Sequence, residues 1–109
     1  LGDSFLGGSL YTCKLGKPIY RFNSEINQSV VFAKLYNQIN KLLVESEYLK
    51  ISDYYLLDLE DDYTVFILTF PKHHFGFILR TSKLKLGYFL HIIKPAIVEE
   101  YKKAAVQKD

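Results

Sequence analysis

Three short apolar segments between residues 53 and 81 constrain the fold more than any other part of the sequence. Asp53–Leu59, Tyr63–Phe70 and Phe75–Thr81 are rich in Tyr, Phe, Ile, Val and Leu, a composition that favours β-strands. The connections between them, Glu60-Asp61-Asp62 and Pro71-Lys72-His73-His74, are too short to cross over a sheet, so neighbouring strands must run antiparallel. The sequence therefore predicts a three-stranded antiparallel meander.

The middle strand of this meander is apolar on both faces. Side chains alternate between the two faces of a strand, and apolar residues stand at successive positions here. The two sets are Tyr63, Val65 and Ile67 on one face, and Phe66, Leu68 and Phe70 on the other. Such a strand must be covered on both faces, by helices or by a partner subunit.

A hairpin is predicted before the meander. Its strands are Ser9–Cys13 and Pro18–Asn23, and its turn is Lys14-Leu15-Gly16-Lys17, in which Gly16 can adopt a positive φ. Alternation within the first strand predicts a buried thiol at Cys13. The glycine-rich Leu1–Gly8 is expected to be a linker or the tail of an absent helix.

Asn27–Glu47 has the period of an amphipathic helix, with Ser24 or Asn27 as its cap. Lys34, Gln38, Lys41 and Glu45 lie off the apolar arc. The predicted core stripe is Val31, Phe32, Leu35, Tyr36, Ile39, Leu42 and Leu43. This stripe is wide enough for Tyr36 and Leu43 to lie on a flank that a second subunit can contact.

A second helix is predicted from Leu84 to about Val106, capped by Thr81 or Ser82, with a bend near His91 caused by Pro95. Its core stripe is Leu86, Phe89, Leu90, Ile93, Ile97, Tyr101 and Ala104. Tyr88, Ile92 and Val98 are apolar but face away from that stripe, which indicates a second contact surface. A segment that precedes Leu1, or a partner protein, would cover it.

The order ββαβββα predicts an α+β fold, a five-stranded antiparallel sheet with helices on its faces, in a single domain over residues 1–109. The sequence does not decide how the hairpin and the meander are joined within the sheet. Because the chain lacks methionine, we expect it to be a processed or excised piece, with a further segment before Leu1.

Composition excludes several functional classes. A net charge of +2, with only Arg21 and Arg80 besides the lysines, argues against nucleic-acid binding. No stretch is long and apolar enough to span a membrane. The single cysteine forms no internal disulfide, which favours a reducing compartment, the cytoplasm.

No catalytic, cofactor or metal site is predicted. His73 and His74 are expected to be surface turn residues whose side chains point apart, and zinc needs three or four convergent ligands. Glu60-Asp61-Asp62 lacks the alternating ligands of a calcium loop. Arg80, Lys83 and Lys85 lie near the start of the second predicted helix, where backbone N–H groups could bind an anion together with these charges. The same charges are more simply explained as groups that keep an apolar helix soluble.

The sequence resembles the roadblock family of small α+β proteins (dynein light chain roadblock type), which are close in topology to longin domains. The likeness lies in the hairpin from Gly8 to Tyr20, in the helix after it, and in Lys85-Leu86-Gly87-Tyr88-Phe89-Leu90, which is similar to the family's entry into its last helix. Roadblock proteins usually carry a helix before the hairpin, and only Leu1–Gly7 of this chain corresponds to it.

The resemblance implies a non-enzymatic scaffold without cofactors, a homodimer or a dimer with a related subunit. Members act as platforms or regulators for small Ras-like GTPases, or as adaptors in motor and membrane-traffic complexes. Carried over to this chain, the edge strand Tyr54–Leu59 pairs with its copy. The implied interface residues are Tyr36, Asn40, Leu43, Tyr54, Leu56 and Asp58.

The residues alone leave two other functional classes open. A longin-type interaction domain of a membrane-traffic or secretion protein would be a monomer that binds a peptide or helix at Tyr88 and Ile92. A ligand-sensing or enzymatic module would need a cavity with convergent polar groups.

Overall fold

All five strands form one antiparallel sheet in the computed structural model, which describes residues 5–23 and 26–107. The strands are β1 (Phe5–Thr12), β2 (Pro18–Phe22), β3 (Tyr54–Leu59), β4 (Tyr63–Thr69) and β5 (His73–Arg80). Their order across the sheet is β2-β1-β5-β4-β3, so the hairpin joins the meander through the β1–β5 pair. The α+β fold class and the predicted element order are confirmed.

Two helices lie on opposite faces of the sheet. Helix α1 (Ile26–Glu45) covers one face, where the Tyr36 ring lies 4.4 Å from that of His74. The C-terminal helix α2, residues 86–107, covers the other, where the Phe89 ring lies 4.3 Å from that of Phe66. Because β4 lies under both layers, its residues from Thr64 to Leu68 are all buried. The prediction that this strand is covered on both faces is therefore confirmed.

Aromatic and aliphatic side chains fill the α2 side of the sheet. Phe66 stands between the rings of Phe89 and Tyr54, the latter at a centroid distance of 5.0 Å. The buried members of this core are Phe66, Leu68, Phe77, Leu79 and Phe89, and Phe5, Phe70, Phe75, Leu84, Leu90, Ile93 and Ile97 pack around them. Removal of these apolar side chains from water stabilises the packing of α2 on the sheet.

Helix α1 is fixed to the β1–β2 turn by hydrogen bonds. Ser29 donates to the carbonyl of Gly16 at 2.7 Å, and Asn37 Nδ2 donates to the carbonyls of Cys13 and Lys14 at 3.2 and 3.3 Å. Gly16 has a φ of +72°, as predicted, and a Cβ atom there would lie 2.6 Å from the Ser29 carbonyl oxygen. The turn and the helix therefore meet backbone to backbone.

Three predictions near strand ends are wrong. Phe5–Gly8 belongs to β1 instead of a linker or helix tail, since Phe5 pairs with Leu79 and Gly8 with Phe77; residues 1–4 lie outside the described part. Cys13 follows the end of β1 and is half-buried. His73 and His74 begin β5 instead of forming a turn, and His74 is buried.

The buried face of α1 differs from the predicted one. Val31 and Leu42, assigned to the core stripe, are 57% and 63% exposed, whereas Ser29 and Ala33 are buried. The helix approaches the turn at Gly16 so closely that only small side chains fit beneath it, and an apolar periodicity does not detect small inner residues. Ser24 lies outside the described residues, and Asn27 lies within the helix.

Helix α2 consists of three consecutive segments: Leu86–Tyr88 is α-helical, Phe89–Ile93 is π-helical and Lys94–Gln107 is α-helical. The π-helical segment ends just before Pro95. Proline has no backbone N–H to donate, so a regular α-helical hydrogen bond cannot form at that position. Neither Thr81 nor Ser82 caps α2, because both lie in a separate 3-10 turn, Thr81–Lys83. The N-cap of α2 is Lys85, which makes no side-chain capping bond.

Candidate interaction surface

Strand β3 forms one edge of the sheet and is open for pairing. Thr69 N–H donates to the carbonyl of Asp53 at 2.9 Å, which fixes the alternation of hydrogen-bonded pairs between β3 and β4. The backbone groups of Tyr54, Leu56 and Asp58 therefore point away from β4. Leu56 is 39% exposed, so this edge presents an apolar side chain beside unpaired backbone groups.

The opposite edge, β2, carries features that oppose pairing. It is only five residues long, begins with Pro18, contains Arg21, and has an irregular register against β1 between Leu10 and Tyr11. Proline, charge, short length and bulges are the common means by which an edge strand avoids association. None of them occurs in β3 except the charge of Asp58, so β3 is the edge suited to a partner.

Helix α1 adds a second apolar surface beside this edge. Val31 and Leu42 are exposed, Leu35 and Ile39 are half-buried, and their spacing puts all four within about a quarter of the helix circumference. We call these four residues the outer stripe. Sequence periodicity found them but assigned them to the core, since it cannot distinguish an inner stripe from an outer one.

Tyr36, Asn40 and Leu43 were predicted to flank a dimer interface, and the structure gives two of them internal contacts. The Tyr36 ring stacks on Tyr55 at 6.0 Å, and Asn40 Oδ1 accepts a hydrogen bond from Ile51 N–H at 3.1 Å. Leu43 is half-buried. These contacts hold α1 and the start of β3 in a fixed relation, which any pairing at this edge requires.

A groove opens between the first turns of α1 and the end of the sheet where β3 finishes. Its volume is about 570 Å³. Its apolar lining includes Val31, Phe32, Leu59, Val65 and Ile78, and its polar lining includes Gln28, Tyr63 and Arg80. The periodicity of the sequence did not indicate this groove, because the groove depends on how far α1 extends over β3 and β4.

The surface predicted on α2 is divided in the structure. Tyr88 and Ile92 are exposed, at 57% and 54%. Val98 is half-buried and lines a second cavity, of about 420 Å³, between α2 and the end of β4, together with Leu68 and Phe70. Tyr88 and Ile92 therefore remain the exposed members of that predicted surface.

Polar side chains lie buried between α1 and the sheet. Ser9 Oγ, Tyr11 Oη and His74 Nδ1 have no hydrogen-bond partner in the described part of the chain. Burial, with a smaller effect from His73, lowers the pKa of His74 to about 4. Burial, with a smaller effect from Tyr36, raises the pKa of Tyr55 to about 12, and the Tyr55 hydroxyl donates to the Phe32 carbonyl at 3.3 Å.

This buried polar cluster lacks the geometry of a catalytic site. At neutral pH its imidazole and phenols are uncharged, and they are closed off from solvent by α1. A general acid or base must reach a substrate within hydrogen-bond distance, which burial at 1% exposure of His74 prevents. The cluster is therefore an internal feature of the fold.

The other candidate groups are also used internally. As predicted, the two adjacent histidines point apart: His73 Nδ1 lies 2.8 Å from the Tyr101 hydroxyl on the α2 side, whereas His74 lies under α1. Within residues 5–23 and 26–107, no three His, Cys, Asp or Glu side chains converge as metal ligands. The predicted acidic turn is confirmed, with positive φ at Asp61 and Asp62.

The carboxylate of Asp62 lies beside the 3-10 turn that precedes α2. Asp62 accepts hydrogen bonds from the backbone N–H and the hydroxyl of Ser82, both at 2.7 Å. Those hydrogen bonds lower the pKa of the Asp62 carboxyl, and nearby Arg80 and Lys83 lower it further. The positive charges around residue 82 thus already have a carboxylate beside them.

Comparison with known proteins identifies the fold. No protein-family model matches the sequence, and no curated protein matches it either. A crystal structure of a roadblock/LC7 domain from Streptomyces avermitilis superposes with a TM-score of 0.55 and 12% sequence identity, over 72% of this chain and 68% of that one. The chain therefore has a roadblock/LC7-like fold, as the sequence resemblance implied. In the part of the chain that the structure describes, no helix is long and apolar enough to cross a membrane.

Proposed function

We propose that this chain is a non-enzymatic dimerisation scaffold of the cytoplasm, which joins a second copy or a related subunit through β3. The observation that carries the proposal is the open β3 edge beside the outer stripe of α1. Its interface comprises the six predicted residues, Tyr36, Asn40, Leu43, Tyr54, Leu56 and Asp58, together with Val31 and Leu42. An isologous dimer would convert two open edges into one continuous ten-stranded sheet.

The backbone alternation in β3 defines a register for this dimer. Tyr54, Leu56 and Asp58 point outward, so a two-fold axis at Leu56 pairs Leu56 with its copy and Tyr54 with Asp58 of the partner subunit. An axis perpendicular to the sheet keeps both α1 helices on the same face, where their outer stripes can meet. An interface of ~800 Å² per subunit would be typical of a stable complex.

The platform formed by the two α1 helices would bind or regulate a small Ras-like GTPase or a motor or trafficking complex. This part of the proposal rests on the roadblock likeness. A GTPase loaded with GDP or with a non-hydrolysable GTP analogue is the ligand to titrate against the dimer. Binding that depends on the nucleotide would support regulation, and equal absence of binding in both states would contradict the GTPase partner.

Sedimentation equilibrium of the wild-type chain and of Leu56→Lys tests the dimer. We expect a wild-type dimer at tens of micromolar and a soluble monomer for the variant, since two lysines would face each other at the axis. Tyr20→Lys is the matched control, because it also places a lysine at an exposed position of an edge strand. A wild-type monomer would contradict the dimer.

A monomer would favour the second candidate, a longin-type domain that binds a peptide or helix. The exposed pair Tyr88 and Ile92 is the observation that supports it.

Thermal melting with metals, nucleotides and small anions tests the non-enzymatic part of the proposal. A ligand that raises the melting temperature would favour a ligand-sensing or enzymatic module instead.

A further inference from the structure

Two adjacent apolar side chains stand exposed on the connection between α1 and β3. Tyr48 and Leu49 are 70% and 78% exposed. Their backbone is nevertheless held in place: Tyr48 N–H donates to the Leu43 carbonyl at 2.8 Å, and Glu47 closes the helix with a φ of +55°. We call Tyr48 and Leu49 the arm. Because its backbone is already ordered, contacts made by the arm lose less entropy on association.

The arm and the groove lie at opposite ends of the same face of the sheet. The arm precedes the start of β3, beside the C-terminus of α1. The groove lies where β3 ends, beneath the first turns of α1, and is lined by Val31 and Leu59. Within one subunit the two cannot meet, because α1 rises about 18 Å between Val31 and Leu43.

The register proposed for the dimer brings the arm of one copy to the groove of the other. Antiparallel pairing centred on Leu56 places residue 59 of one copy opposite residue 53 of its partner. The start of each β3, and the arm that precedes it, thus lies beside the end of the other β3. Since both α1 helices share one face, the arm of one copy and the groove of the other lie on the same face of the joined sheet.

The chemistry of the two surfaces is complementary. The groove is mostly apolar and has Arg80 in its lining, and the arm is apolar, with Glu47 next to it in the sequence. We propose that Tyr48 and Leu49 of each copy fill the groove of the other, with Glu47 beside Arg80 of the partner subunit. The inference rests on the proposed dimer and adds a second, reciprocal contact to it.

Disulfide trapping tests the contact directly. Val31→Cys and Leu49→Cys are combined in a Cys13→Ala chain and oxidised, and the products are separated by mass under denaturing conditions. We expect a covalent dimer, because a bond within one chain would need Cα atoms less than about 7 Å apart. Val31→Cys with Tyr20→Cys is the control: Tyr20 is 60% exposed on β2, at the opposite edge of the sheet from β3, and should give no specific dimer.

Truncation of the arm tests its contribution to affinity. Tyr48→Ser with Leu49→Ser should leave the monomer folded, since both side chains are exposed in it, and should raise the dimer dissociation constant about tenfold or more. Leu15→Ser should leave that constant unchanged. If the chain sediments as a dimer but neither trapping nor truncation has an effect, the arm contact is wrong and the β3 dimer stands. A monomeric wild-type chain would overturn both.

Discussion

The two faces of the sheet are packed by different chemistry. On the α2 side, phenylalanine rings and aliphatic chains make most of the contacts, as in those of Phe66 with Phe89 and Tyr54, and the buried Thr64 hydroxyl has Thr81 as its hydrogen-bond partner. On the α1 side, hydroxyls and an imidazole are buried, and three of their polar atoms have no hydrogen-bond partner among the residues that the structure describes. The α2 side resembles an ordinary protein core. On the α1 side, buried polar atoms make the packing less favourable. The outer stripe and the groove also lie on this side.

The largest expected effect comes from the α2 side. Phe66→Ala would remove a fully buried ring that touches two others, and we expect a loss of about 3–5 kcal/mol in the free energy of unfolding. Denaturant unfolding at neutral pH measures it. Tyr20→Ala, at a mostly exposed position, should change stability by less than about 0.5 kcal/mol. A loss below about 1 kcal/mol for Phe66→Ala would mean that the packing around this ring contributes little to stability.

The α1 side should respond to pH. The pKa of His74 is about 4 in the folded chain and about 6.5 when unfolded. Between these values the unfolded chain binds more protons, so stability decreases as the pH falls from 6.5 towards 4. His74→Phe keeps a ring and removes the titrating group, so its stability relative to wild type should rise by about 2–3 kcal/mol between pH 7 and pH 4. Parallel pH profiles of the two proteins would show that His74 does not titrate in this way.

The smallest of the three effects concerns the attachment of α1 to the β1–β2 turn, a feature of the α1 side alone. Gly16→Ala would place a methyl group against the Ser29 carbonyl at a positive φ, and we expect a loss of about 1–2 kcal/mol. Gly87→Ala is the matched control, because a Cβ there meets nothing within 4 Å and its backbone is helical. Thermal or denaturant unfolding of both variants would show whether the turn fixes α1. Equal stability of the two would contradict that role.

The two faces also differ in how well the sequence predicts them. Alternation along β4 correctly divided Val65 and Ile67 from Phe66 and Leu68, since a strand's period leaves no choice of face. The orientation of α1 was harder to predict, because its innermost residues, Ser29 and Ala33, are small and carry no hydrophobic signal. The roadblock resemblance, and not the residues themselves, implied the β3 edge, whereas the groove and the arm depend on distances between elements far apart in sequence.

The single π-helical turn at Phe89–Ile93 has a consequence for the whole of α2. A π turn accommodates one extra residue, so everything after it is out of phase by about 100° with the helix before it. This phase shift explains why Val98 lies against the sheet although a uniform period groups it with Tyr88 and Ile92. It also keeps Tyr101 in position to stack on Phe70 at 3.9 Å and to meet His73. Deleting one residue between 89 and 93 would thus let this turn close as a regular α-helix, with the fourteen residues that follow still facing as they do now and Tyr101 still at the end of the strand, whereas a deletion after residue 94 would rotate everything beyond it.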